Sequence, residues 1–304
     1  MSILSGLFRK SDEEMTETGT VTYAYDAFKP GEQFPPANAI ERISKYRRMK
    51  KLYDGKQAEI YERATGLLKD TPHAKQLESL YIAVNIADII TTKPADLLVG
   101  EPPIFDSGLQ DDTPQQVAIN SYVEENDLVK LIHESALANG YRGDAWLKVR
   151  YGYRQDYSAL EALGLPIPNE AQLEPIIEHV AADCVFPITS DGNVKKFKEV
   201  VIASVEWVTS VKTDIPYLNV ERHLPGYIIN ERYRLQTFEG GVNNSYGYPV
   251  QLFKIVEKVG ETNVIETGVP YLLVHHVPYK STDDDWQGKG TLEALETILI
   301  AIND

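Results

Sequence analysis

Cysteine is almost missing from this sequence: Cys184 stands alone in 304 residues. No internal disulfide can form, so no oxidising compartment is implied, and a lone thiol of this kind is expected to be a small buried hydrophobe. Long apolar runs are missing too. None approaches the roughly 18 residues that would suggest a membrane span. The opening MSILSGLFRKSDEE sets its few apolar residues ahead of its basic pair, the wrong order for a secretory signal. Positive charge is in short supply, with 30 Lys and Arg against 45 Asp and Glu and a formal net charge of −15. That sign opposes non-specific adhesion to DNA or anionic lipid, because both partners carry it. It still allows a protein that handles DNA without gripping it.

Catalytic and metal-binding signatures are equally sparse. No G-x-S-x-G occurs, and Cys184 has no recognisable setting for a nucleophile. Asp283, Asp285, Gln287 and Gly288 approach the spacing of a calcium loop, but Ala294 stands where the bidentate carboxylate belongs. A solvated loop capping the next helix is the expectation. His275 and His276 are neighbours in an expected strand and point to opposite faces, which makes them poor joint ligands. Gly288 and Gly290 precede a helix without the GK[ST] of a phosphate loop, and read as a flexible hinge. The expectation is no catalytic residue, no cofactor and no metal.

What is present is patterning. Residues 1–36 mix Ser, Thr, Glu, Gly and Pro without period and read as a flexible arm. Asn38 and Glu41 have capping-box spacing for a helix running to about Asp54. Its apolar side carries Ile40, Ile43, Met49 and Leu52, and its basic run Arg47, Arg48, Lys50 and Lys51 is expected to face solvent. A short helix should follow at 56–69. Leu77, Leu80, Tyr81, Val84, Ala87 and Ile90 mark a longer one from about residue 74, kinked or interrupted at Pro94 and leaving through GEPPIF into a strand. Thr113, Pro114 and Gln116 form an N-cap set for another helix, and Asp127 opens one more, ending at Gly140.

From residue 143 the period becomes two. Strands are expected from 145 and over 175–182, 197–208, 217–224, 227–235, 250–259 and 271–277. Tight turns are expected at Asp191-Gly192 and Pro225-Gly226, with an inserted loop and one short helix at 154–174. Helices first and mainly antiparallel strands after argue for an α+β fold. At the end, TLEALETILIAIND sets Leu292, Leu295, Ile298, Leu299 and Ile302 on one helical stripe with no terminator, so the expectation is a chain truncated at its C-terminal side.

The order of these segments resembles the portal proteins of tailed bacteriophages, of the type in long, non-contractile-tailed phages. The resemblance rests on YRRMKKLYDGKQ (46–57), NIADIITTKPADLLVGEPPIF (85–105), NGYRGDAWLKVRY (139–151) leading through EHVAADCVFPITSDGNVKKF (178–197) to VERHLPGYIINERY (220–233), and VPYKSTDDDWQGKGTLEALETILIAIND (277–304). It implies a flexible arm (1–36), a wing-like α+β domain (37–280), and a hinge loop with the start of a stem helix (281–304). It further implies a structural subunit, not an enzyme, in a homo-oligomeric ring of about twelve copies at one capsid vertex of the virion, assembled in the host cytoplasm. The ring would form the channel for DNA packaging and ejection. Its implied partners are major capsid and scaffolding proteins, the terminase motor, head-tail adaptor proteins and duplex DNA that passes without tight binding; no membrane is involved. Leu292, Leu295, Ile298, Leu299 and Ile302 would then be buried against a neighbouring subunit or against missing chain. The alternative from the residues alone is a free-standing α+β adaptor without a DNA channel.

Overall fold

The computed structural model describes residues 14–15, 21–22, 27–56, 84–209, 214–238 and 249–303. They form helices and antiparallel sheets in the α+β manner. Two short strands, β1 (Glu14–Met15) and β2 (Val21–Thr22), pair with one another. The expected helix at 56–69, apart from Lys56, and the positions Leu77, Leu80 and Tyr81 lie outside the described residues.

Helix α1 (Ala37–Tyr53) begins two residues earlier than the capping-box spacing suggests. Pro36, with φ −56°, takes the N-cap position and no side chain caps the helix. Asn38 therefore sits inside the first turn, exposed, and does not cap. Ile40, Ile43, Met49 and Leu52 are buried, as the apolar periodicity predicts. Helix α2 (Ile86–Leu98) is not the continuation of a helix from residue 74. Asn85 stops any such run and caps α2, its side chain accepting from the Asp88 amide at 3.3 Å. Pro94 does not end it, for α2 runs four residues further. Its inward side, Ala87, Thr91 and Ala95, is buried, and packing there offsets the lost amide. Beyond Gly100 no strand forms, since Pro102 and Pro103 supply no ladder donors.

The cap of α3 (Pro114–Glu125) is the one expected, with Thr113 accepting from Gln116 N–H and Pro114 in the first turn. Helix α4 (Leu128–Arg142) passes through Gly140 and closes instead at Gly143, which adopts φ 90°. Gly140 is a crossing point: a Cβ there would lie 2.5 Å from Thr91 Cγ2, so α2 and α4 approach closely only because the side chain is missing.

Two sheets follow. The smaller joins β4 (Asp144–Tyr153) to β5 (Leu173–Val180) and β12 (Val274–Pro278), in the order β12-β4-β5. The intervening loop carries α5 (Ser158–Ala162). Asn126 covers the outer edge of β5, its Oδ1 accepting from Ile177 N–H and its Nδ2 donating to Pro175 O. The larger sheet contains β3 (Gln33–Phe34), β6 (Val185–Ser190), β7 (Asn193–Thr209), β8 (Asp214–Leu224), β9 (Tyr227–Thr237) and β10 (Phe253–Lys258), in the order β3-β10-β9-β8-β7-β6, and β11 (Asn263–Glu266) pairs with β9 beyond β10. β6 and β11 are absent from the sequence expectation: Pro187 disguises the first, tolerable because β6 is an edge strand, and four exposed residues give the second no period. Asp191-Gly192 and Pro225-Gly226 turn as expected, with Gly192 at φ 75° and Gly226 at φ 92°.

Residues 27–36, read from sequence as the end of an arm, are packed. Phe28 and Phe34 are buried in the core of the large sheet with Leu218, Tyr233 and Ile255. Phe34, at one end of the strand order, lies 5.6 Å from the ring of Phe186 at the other. The sheet thus curls until its two ends meet. The last helix, α6 (Thr291–Asn303), packs on the helical side, where Leu292 and Leu299 join Met49, Leu52, Ala87 and Tyr141.

Candidate functional site at the base of the last helix

α4 ends and β4 begins between Gly143 and Asp144. The left-handed backbone of Gly143 turns the chain sharply and points the next side chain inward. Asp144 is 0% exposed, and three segments converge on it. Tyr46 Oη of α1 donates to Oδ2 at 2.5 Å, while His276 Nε2 of β12 and the Gly288 amide donate to Oδ1 at 2.7 and 2.8 Å. The β12–β4 register sets His276 opposite Trp146, and their rings stack at 4.2 Å. His275 faces the other way and is exposed, as alternation requires. Burial, and after it the Asp144 carboxylate, holds the Tyr46 phenol well above its ordinary pKa. The hydroxyl therefore remains a donor at any physiological pH.

Backbone contacts complete the joint. Tyr279 N–H donates to Gly143 O at 2.8 Å, and Lys289 N–H donates to Tyr279 O at 2.7 Å. A Cβ on Gly288 would lie 1.9 Å from Gly143 O, and one on Gly290 would lie 2.9 Å from Tyr141 O. The two glycines are accordingly not a flexible hinge, as their spacing before a helix suggested. They let two backbones touch, and the contact fixes the chain where it turns into α6.

A second correction concerns the basic run of α1. Lys45 pairs with Glu293 at 3.3 Å and Arg48 with Glu296 at 2.5 Å, so that side of α1 meets the acidic side of α6 and not solvent. Arg47 reaches Asp183 at 3.5 Å, and Lys50 pairs with Asp54 one turn on. Arg42 is buried, donating to Ala182 O and Val185 O at 2.9 Å each, with Tyr46 and Trp286 rings both 5.4 Å away. It ties α1 to the edge of the large sheet. Cys184 is half-buried beside these groups, and burial first, then Asp183, pushes its thiol up to about 11. It is inert at neutral pH.

The residues expected to meet a neighbouring subunit divide into two sets. Leu292 and Leu299 are buried within this chain, and Leu295 packs against the same cluster. Ile298 and Ile302 are 57% and 53% exposed. Asp285 serves as a turn former, its Oδ1 accepting from Gln287 N–H at 3.0 Å. Among the described residues no group of three or more His, Cys, Asp and Glu could hold a metal, and no helix is long and apolar enough to cross a membrane. Sequence reasoning missed Asp144 and Tyr46 altogether. The one local signal was Arg-Gly-Asp at the change of period from helix to strand. The arrangement positions α6 through the three donors that converge on Asp144.

Comparison with known families places residues 34–220, more than half of the chain, in a match to the family described as phage portal protein, SPP1 Gp6-like. No curated protein matches the chain. The matched region runs from β3 through most of β8 and includes Tyr46 and Asp144.

Proposed function

Because the chain belongs to the phage portal protein family of the SPP1 Gp6-like kind, we propose that it is a structural subunit of the portal ring at one vertex of a phage head. In this reading, residues 37–280 form the wing-like body, closed at its sheet seam by the segment that ends at residue 36, and 281–304 carry the turn and the first part of the stem helix. About twelve copies surround the channel through which DNA enters and leaves, and the ring is the platform for the terminase motor and the head-tail connector proteins. Capsid and scaffolding proteins hold it in the head. The family match carries the reading. The geometry supports it in one respect: a joint built around Asp144 fixes the departure of α6, and that helix leaves Ile298 and Ile302 exposed for a neighbour.

Electron microscopy of the full-length gene product tests the proposal. Rings with an axial hole are expected. A monodisperse monomer at every concentration would overturn it.

A further inference from the structure

We infer that Asp191-Gly192, at the tip of the β6–β7 hairpin, is a site of spontaneous backbone modification, where Asp191 isomerises through a succinimide to isoaspartate. The reaction needs only the chain and water. The Gly192 amide nitrogen attacks Asp191 Cγ in its acid form, and the carboxyl hydroxyl leaves as water with the amide proton. A second water then opens the five-membered ring. Opening at Cγ restores aspartate, whereas opening at the backbone carbonyl routes the chain through Cβ and Cγ. The product keeps a free carboxylate, so neither mass nor net charge changes.

The sequence contains Asp54-Gly55, Asn139-Gly140 and Asp191-Gly192, and in each pair the glycine has no side chain to shield its amide. The fold separates them. Ring closure requires an amide without a hydrogen bond, a side chain free to swing over it and a backbone able to turn. Asp54 is paired with Lys50 one turn back, and Gly55 N–H donates to Leu52 O at 3.1 Å. Gly140 lies inside α4, where its amide belongs to the helical ladder, and Asn139 Oδ1 is buried. Asp191 differs on each count. Its side chain is fully exposed, and its ion pair with Lys198 spans 3.8 Å, beyond hydrogen-bond length. Among the described residues nothing accepts a hydrogen bond from Gly192 N–H. Strand pairing is irregular on both sides of Thr189, and β6 is an edge strand, so the tip is only lightly tied.

The test is oxygen labelling of the full chain. The folded protein is held at neutral pH in heavy-oxygen water and digested in ordinary water, and its peptides are weighed. Each ring opening leaves one heavy oxygen behind. Label is expected at 191–192 and not at 54–55 or 139–140, whereas the chain unfolded in denaturant should take it at all three. Electron-transfer fragmentation should place the added backbone carbon at residue 191. Asp191→Ser should lose the label without a change in melting. A folded chain that takes no label at 191–192, or as much at 54–55 as at 191–192, would overturn the assignment.

Discussion

The curled sheet and the helical joint each bury charge, and they do so over very different distances along the chain. In the sheet, Arg222 meets Glu199 at 2.6 Å, Lys258 meets Glu231 at 3.0 Å, and Tyr233 donates to Glu231 at 3.0 Å. These partners are 23, 27 and 2 residues apart. At the joint, Asp144 draws its donors from 98, 132 and 144 residues away. A network between successive hairpin strands is in place once the hairpins form. The Asp144 joint exists only when three remote segments have already met, which makes it the later and more local element of order.

The sharpest way to break the comparison is to remove one carboxylate from each side. Glu231→Ala leaves Arg222 and Lys258 buried without that partner in the middle of the large sheet. A loss of about 3–5 kcal/mol is expected, spread over the whole domain. Asp144→Ala deprives Tyr46, His276 and the Gly288 amide of their acceptor, at an expected cost of about 2–3 kcal/mol. Here hydrogen exchange should quicken at 279–303 while the β7 to β9 amides keep their protection. Uniform loss of protection in the Asp144 variant would show that the two regions are a single cooperative unit.

The same contrast explains what the sequence made legible. Strands β7, β8 and β9 follow from alternation and from Pro225-Gly226, because each buries one face against residues close by in the chain. In α6, Leu292, Leu295 and Leu299 were equally readable as a packed stripe, whereas Ile298 and Ile302 are exposed. The joint was not readable, since a lone Asp reads as solvent-facing and nothing local reveals that its partners will surround it. The misreadings at Gly140 and Gly288 share one cause: a residue that breaks structure locally was recruited for a close tertiary approach. Arg48 of the basic run was misread because its acidic partner lies 248 residues on, on α6.

Acid sharpens the comparison at the seam between the sheets. Lys148 of β4 bridges Glu178 of β5 and Glu221 of β8, each at 3.2 Å, and His223 bonds Glu221 at 2.6 Å. Burial pushes the Glu221 carboxyl upward, but His223 and Lys148 outweigh it and hold the group below its ordinary pKa. A carboxyl lowered on folding contributes stability that is fully present above the unfolded value and is lost as pH falls through the folded one. Stability should accordingly decline below the normal carboxylate range, and Glu221→Gln should flatten that acid limb. An unchanged limb in pH-dependent denaturation would show that the seam contributes nothing.

The smallest expected effect concerns DNA and separates the two halves of the basic helix. Tight binding to a duplex requires Lys and Arg free to neutralise phosphates and release counterions. In α1, Lys45 and Arg48 are committed to Glu293 and Glu296, while Arg47 and Lys50 sit in more exposed pairs with Asp183 and Asp54. The chain as a whole carries −15 and repels DNA at long range. Neutralising Arg47 and Lys50 together should therefore leave duplex binding at physiological salt as it is in the parent, undetectable, and change stability by no more than about 1 kcal/mol. Arg48→Gln should bind no differently but loosen α6, read as faster exchange at 291–303. A fluorescence titration across salt concentrations checks the binding half of this prediction. Micromolar affinity that weakens steeply with salt and disappears with Arg47 and Lys50 would make the outer side of α1 a nucleic-acid surface, and the inner side alone would remain the seat of the helix.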